Sequence, residues 1–524
     1  MQLTRRGVLK GTGALAGIAL ASRAGLADAR GLLTDPLLEE VIDRALGAAK
    51  KAGATYADIR IVRRRSEALF ARDDHIANVS GDEGYGLGVR VIAGGAWGFS
   101  AASQVVPAAA ERAAQLAVEI ARANAPLLQR PVQLAPVKAA VDAWQTPLER
   151  NPFKIPLSEK SDLLLALTGA LLKVPGIQHC FSWFQALGEW KLFASSDGSH
   201  IEQDLIRIRP GYRATAIDTA SGEFASRDHD LSPAQAGWEY VARSTLLADA
   251  PRVGEEAVQK LKSPSVTPGK KHLILAPSNL WLTIHESVGH PTELDRALGY
   301  EANYAGTSFL TTDKLNKIQF AAPQLSFYAD KTTPTGLATC GYDDDGVKTQ
   351  KWDIIRNGKF VSYQTTREQA GWINESSSRG CSYAQDFRSF PFQRMPNVSL
   401  EPGPKDLGLK DLIAATDDGI LIRGDGSYSI DHQRYNFQFG GQMFYEVKGG
   451  KVTRTLRDVA YQSSTPDFWR SCDLLGGARE WEMGGSFFDG KGEPTQVNAV
   501  SHGCPPARFA QINILNTNTG KGRG

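Results

Sequence analysis

The sequence predicts an α+β protein, with helices and strands mixed in the N-terminal half and a β-rich C-terminal domain interrupted by few helices. Three observations predict it. Apolar residues recur at helical spacing in a few long segments before residue 262. They alternate in strand fashion between those segments, and from Lys270 onward short alternating runs separated by Gly-containing turns dominate. A chain of 524 residues with 42% hydrophobic content can bury large cores, and at roughly 100–200 residues per domain it divides into two or three.

The first 29 residues read as a targeting segment. Thr4-Arg5-Arg6-Gly7-Val8-Leu9-Lys10 is followed by a weakly apolar Gly/Ala-rich stretch and by Ala27-Asp28-Ala29, an A-x-A cleavage pattern, which resembles a bacterial twin-arginine signal peptide. This implies export in a folded state, a mature chain starting near Arg30 and a periplasmic location. The apolar run is shorter than the roughly 20 residues of a membrane span, and no later segment reaches about 18 uninterrupted apolar residues, so no transmembrane span is expected in the mature chain.

An N-terminal α/β region is expected over residues 30–125. Asp35 caps a helix with Pro36 at its first position and Leu37, Leu38, Val41, Ile42, Ala45 and Ala49 on its apolar stripe, until Gly53 stops it. Strand patterns follow around Ile59 and Ile61 and around Leu87, Val89 and Val91, turning at Gly94-Gly95 into Trp97 and Phe99. Gly84, Gly86 and Gly88 lie inside a strand pattern and not between a strand and a helix, which argues against a phosphate-binding loop. An Ala-rich helix, Pro107 to about Asn124, closes this region.

The middle region, residues 126–262, opens with a Pro-containing connector to Pro156, expected to hold little regular structure. A Leu-rich helix from about Ser158 to Leu172 comes next, then strands flanking the Asp197-Gly198 hairpin turn, then helical patterns at Pro233–Leu247 and Val253–Leu261. A Pro/Gly/Ser linker at residues 263–270 marks the main boundary before a C-terminal domain at residues 271–524.

Charge excludes some partners. Fifty-nine Lys and Arg nearly balance fifty-seven Asp and Glu, so nothing in the balance points to nucleic acid, and the run Arg63-Arg64-Arg65 reads as a solvated face. Five cysteines are too few for a disulfide scaffold, and the odd count leaves at least one sulfur free to be a ligand or a buried thiol.

The chemistry concentrates at Ile284-His285-Glu286-Ser287-Val288-Gly289-His290. Two imidazoles bracketing a carboxylate in an apolar segment are the pattern by which a helix holds a divalent metal and keeps a general base beside it. The familiar H-E-x-x-H spacing puts its histidines about 40° apart on a helix; here they are five residues apart, about 140° on a regular helix. Gly289 weakens the helix just before the second histidine and Pro291 disfavours α conformation at His290, so a π-bulge or a helix end is expected there, with Thr292 capping a new helix. A catalytic zinc takes three protein ligands. The candidates for the third are Cys504, His502, His432 and the acids after His290, with Cys504 favoured because it lies in a Gly/Pro-rich segment, Val500 to Pro506, expected to form a tight turn.

Those residues resemble a known family. His285 to His290 followed by Glu293 and Asp295 is similar to the HExxxH motif of the TldD/PmbA metallopeptidases. Asp343-Asp344-Asp345-Gly346, Ser378-Arg379-Gly380, Arg394-Met395-Pro396-Asn397 and Gly503-Cys504 follow in the order of TldD-like, motif-bearing chains. The resemblance runs from about residue 33 to the end. It implies a zinc peptidase with His285, His290 and Cys504 as metal ligands and Glu286 as general base, acting on unfolded or extended peptides. It implies a homodimer, or a heterodimer with a related subunit lacking the motif, and an α+β fold with an N-terminal antiparallel sheet. The twin-arginine signal departs from the cytoplasmic members. For the oxyanion donor Arg394, His432 and Tyr383 are candidates. A non-catalytic binding or assembly subunit is the alternative, and an exported oxidoreductase is disfavoured by the lack of a C-x-x-C pair and of a cofactor fingerprint.

Overall fold

The computed structural model describes residues 35–518; the twin-arginine segment and its cleavage pattern lie outside them. Helix α1 (Pro36–Lys51) starts as its sequence demands, with the Asp35 carboxylate accepting from the Leu37 N–H at 2.9 Å. Strands β1 (Tyr56–Arg72), β2 (His75–Ala93) and β3 (Ala96–Ala102) form an antiparallel meander, and α2 (Pro107–Asn124) returns across it. The connector is not wholly irregular: β4 (Val141–Gln145) pairs parallel with a later strand. Helix α3 (Leu157–Leu172) leads into the hairpin of β5 (Ile177–Ser195) and β6 (His200–Ile217), and β7 (Phe224–Asp228) follows.

These strands make one seven-stranded sheet in the order β3-β2-β1-β5-β6-β4, with β7 also on β6. The sheet joins the first and middle regions of the sequence through the β1–β5 pairing. The helix expected at Pro233–Leu247 shrinks to α4 (Glu239–Ala242), because Ala234 is drawn into a backbone bridge with Ile208. Helix α5 (Ala250–Lys262) completes the unit.

The two faces of this sheet differ in chemistry. Odd-numbered β1 residues Ile59, Ile61 and Leu69 are fully buried under the helices, against α1 and α2 at one end and α3 and α5 at the other. The opposite face carries buried charges, Asp58, Arg60, Arg90, Glu189, Lys191 and Arg207. It packs on the C-terminal domain.

That domain holds a nine-stranded sheet in which β8 (Gly269–Leu275) sits between Ala507–Asn516 and Asp418–Arg423. A smaller sheet contains Phe327–Asp330 and Val398–Leu400, and a separate hairpin pairs Glu482–Lys491 with Gln496–Cys504. Between them runs α6 (Pro277–Ile284), whose residues other than Ser278 are buried, with Leu280 in the same core as Phe468, Trp469 and Phe509. Among the described residues no helix is long and apolar enough to cross a membrane.

The acidic turn Asp343-Asp344-Asp345-Gly346 is a main contact between the two units. Asp344 accepts from Lys191 Nζ at 2.8 Å, Asp345 from Arg90 at 2.8 Å, and Asp343 folds back to take the Asp345 and Val347 N–H groups. Gly346 sits at φ +76°, and a Cβ there would lie 2.8 Å from the Phe193 ring, so the turn can enter the sheet face only as glycine.

Candidate metal centre

The helix α6 changes pitch where the first histidine begins. Residues His285–Gly289 form a π turn, with the His290 N–H reaching back five residues to the His285 carbonyl, and His290–Thr292 tighten into a 3₁₀ turn. A π turn advances less than 90° per residue, so five residues bring the two rings to one side; their centroids lie 4.6 Å apart. The loosened backbone is caught by side chains: Gln364 Nε2 donates to the Gly289 carbonyl at 2.6 Å and Thr292 Oγ1 to that of Val288 at 2.7 Å. Thr292 therefore closes the preceding turn, and Glu293, not Thr292, precedes the next helix, Leu294–Ala297. A Cβ at Gly289 would meet Met395 Sδ at 2.5 Å, so a larger residue there would have to displace that side chain.

The third donor comes from far along the chain. His285 Nε2, His290 Nε2 and Asp489 Oδ1 lie within 4.8 Å of one another, with Asp489 Oδ1 3.7 Å from each imidazole nitrogen. Asp489 sits where the hairpin register slips between Ser486 and Asp489, a bulge that turns its carboxylate inward. Arg394 holds it, donating to both its carbonyl and, at 3.1 Å, its Oδ2.

The structure does not bring Cys504 to the histidines. The segment expected to be a Gly/Pro turn is the end of a strand, and Cys504 lies six residues beyond Asn498, the partner of Asp489, on the order of 20 Å at strand rise. Its Sγ is 3.7 Å from the Pro277 carbonyl, and burial, then Glu482, pushes the thiol well above its usual range, so it stays protonated. His502 reaches the site from the same strand but faces His285 Nδ1 at 2.8 Å, behind the ring. Among the described residues the His432 ring makes no hydrogen bond, and its carbonyl accepts from the Thr307 N–H. Of the acids after His290, Glu293 Oε2 accepts from His290 Nδ1 at 3.0 Å and is itself held by Arg296 at 2.9 Å and Lys491 at 3.2 Å. Both imidazoles thus have Nδ1 engaged and Nε2 turned to Asp489.

The electrostatics suit a cation. Burial holds His285 and His290 well below the usual imidazole range, with His502 adding to the effect at His285 and Arg434 at His290, so both are neutral imidazoles near pH 7. Burial pushes the Glu286 carboxyl up to about 7, against the pull of Arg434 and with the push of Asp489. Arg434 pairs with Glu286 from a turn in which it takes φ 61°, with its carbonyl held by Thr465 Oγ1 at 2.8 Å. Of the expected oxyanion donors, Arg394 gives its two terminal nitrogens to Asp489 and Gln496 and keeps only its buried Nε unpartnered, and Tyr383 donates to Glu189 across the domain boundary.

Two imidazole nitrogens and one carboxylate oxygen converging on a point are a donor set that fits a catalytic zinc. Asp489, Arg434 and the roles of Glu293 and His502 were not marked by any spacing in the sequence. The Asp489-Gly490 pair reads locally as an ordinary turn, and only its inward position in the hairpin separates it from other acids.

The sequence matches the PmbA/TldA metallopeptidase domain 1 over residues 57–121, the central domain over 150–263 and the C-terminal domain over 268–516. The chain belongs to this metallopeptidase family. Among curated relatives, a metalloprotease of Methanocaldococcus jannaschii is 26% identical over 442 residues, 84% of this chain and 93% of that protein. A zinc metalloprotease TldD homolog of Saccharolobus solfataricus is 22% identical over 477 residues, 89% and 98% of the two. The fold is shared with a Bacteroides thetaiotaomicron protein titled a modulator of DNA gyrase (TM-score 0.70, 15% identity, 91% of this chain and 98% of that one). It is shared too with TldE of Thermococcus kodakarensis (TM-score 0.62, 17% identity, 90% and 98%).

Proposed function

We propose that this chain is a zinc-dependent peptidase, exported by the twin-arginine route to the periplasm, that cleaves extended or unfolded peptides. The observation that carries the reading is the convergence of His285 Nε2, His290 Nε2 and Asp489 Oδ1 beside a buried carboxyl, Glu286. Asp489 replaces Cys504 as the proposed third ligand. Bound by these three side chains, zinc supplies Lewis acidity toward a water and a peptide carbonyl. Glu286 takes the water's proton and passes it to the leaving amine, a role that its position near neutrality suits. Arg434 pairs with Glu286, and among the described residues its buried Nε has no protein partner; this pairing with the general base is why we assign Arg434 to the developing oxyanion. Assembly with a second copy or with a related subunit is part of this proposal, as membership of the PmbA/TldA metallopeptidase family suggests.

The test is metal analysis joined to digestion of an unstructured peptide, in wild type and Glu286→Gln. One zinc per chain is expected in both, with turnover falling by about 10²–10⁴-fold in the variant. Because a two-histidine, one-carboxylate set also suits iron(II), the analysis reads both elements. Undiminished cleavage by Glu286→Gln would overturn the mechanism. A wild-type chain without stoichiometric metal would leave the binding or assembly subunit as the reading.

A further inference from the structure

We propose that His502 is a positioning residue that decides which nitrogen of His285 is turned to the metal centre, through a one-way hydrogen-bond relay that starts at a backbone carbonyl. The inference rests on the peptidase reading in that zinc is the ion His285 would hold.

The relay follows from what each atom is able to do. His502 is fully buried, and its Nδ1 lies 2.8 Å from the Val398 carbonyl oxygen, which only accepts. His502 Nδ1 therefore carries a hydrogen, and in the neutral ring Nε2 is left as an acceptor. That Nε2 is 2.8 Å from His285 Nδ1, so His285 donates from Nδ1 and keeps its lone pair on Nε2, the atom facing Asp489 Oδ1 at 3.7 Å. The reverse arrangement would set the His502 Nδ1 lone pair against the Val398 carbonyl and place a hydrogen on the ligating nitrogen of His285.

Packing makes His502 rigid enough for this. Its ring stacks on Trp281 with centroids 6.2 Å apart and planes 9° from parallel, and its strand is locked to Val398–Leu400 by the Gly503 N–H donating to Ser399 Oγ at 2.9 Å. The two histidines of the motif are thus set by different means. His290 is oriented by a carboxylate three residues further along the chain, Glu293, and His285 by a neutral imidazole from 217 residues away.

The test separates the acceptor at Nε2 from the bulk of the ring. A glutamine at 502 can place an oxygen near the position of Nε2; an asparagine can satisfy Val398 but does not reach His285; a leucine does neither. Zinc affinity of the full chain is measured by competition with a chelator, alongside histidine ¹⁵N spectra of metal-free protein and near-ultraviolet circular dichroism as a check on packing. His502→Asn and His502→Leu are expected to weaken zinc by about 10–100-fold and His502→Gln to recover most of that loss. The wild-type spectrum should show His285 protonated at Nδ1, and the Asn variant a mixture of tautomers. Wild-type affinity in His502→Asn, or a loss in His502→Gln as large as in His502→Leu with packing intact, overturns the proposal. Should His502→Leu fail to fold, the Asn and Gln variants decide it. If the wild type binds no zinc, the peptidase reading fails while the spectra still decide the relay: His285 protonated at Nε2 would refute it.

Discussion

Two buried polar regions of this molecule invite comparison, the charged face of the N-terminal sheet and the cluster around His285. On the sheet face opposite charges meet: Lys191 with Asp344 at 2.8 Å, Arg207 with Glu189 at 2.6 Å, Arg90 with Asp345 at 2.8 Å. Around His285 the donor atoms instead converge on one another, and the one cation pairing with Glu286 leaves Asp489 and both Nε2 atoms facing a common point. The same side-chain type registers the difference. Burial alone would raise both glutamates, yet Arg207 and then Lys191 hold Glu189 down to about 2, while Glu286 is pushed up to about 7. A closed network joins domains; an open one is arranged to meet something from outside.

The comparison breaks most visibly at His290. His290→Ala should abolish zinc binding and reduce peptide cleavage to background, with little change in melting temperature of the metal-free chain; elemental analysis and calorimetry check both, and cleavage retained without metal would sink the site. Next, Asp489→Ala should weaken zinc by more than the roughly 10–100-fold due to outer partners, whereas Cys504→Ala should leave zinc content unchanged. Equal losses in the two variants would return the cysteine to the site. On the sheet face, Lys191→Ala strands the Asp344 carboxylate and should destabilise the chain by about 3–5 kcal/mol in denaturant titration, with zinc affinity intact. A smaller loss would mean that water or a neighbouring cation takes over. The least effect belongs to Asp35→Ala, about 1 kcal/mol from the lost helix cap, read by the same titration.

Local signals were legible where one segment contains its own explanation. The Asp35-Pro36 start of α1, the Ala-rich α2 and the Asp197-Gly198 hairpin turn each follow from neighbours within a few residues. The distortion at His285–Gly289 was legible too, because Gly289 and Pro291 forbid a regular helix beside histidines five apart. The donor set was only half legible. The two histidines are marked by their spacing, but Asp489 is selected by hairpin register and by Arg394, neither of which leaves a trace in the residues around it. Cys504 carried the stronger chemical label and the weaker position. The segment Pro233–Leu247 had helical spacing, yet Ala234 found a backbone partner in Ile208 that competed with it. The acidic segment at Asp343 entered the sequence reading as part of the family resemblance, and its partners Arg90 and Lys191, over 150 residues earlier, turn it into a domain joint.

The bulged hairpin has a consequence for how the protein is made. Chains emerge from the ribosome N-terminus first, and His285 and His290 are about 200 residues ahead of Asp489. A nascent chain therefore offers only a two-imidazole site, too poor in donors to hold a catalytic ion, until Glu482–Lys491 has been synthesised and docked on the helix. Closing so long a loop is entropically costly and late. If the proposed site takes up its ion, metal capture is coupled to the last stage of folding, and the binding free energy would act as a latch on the finished C-terminal domain.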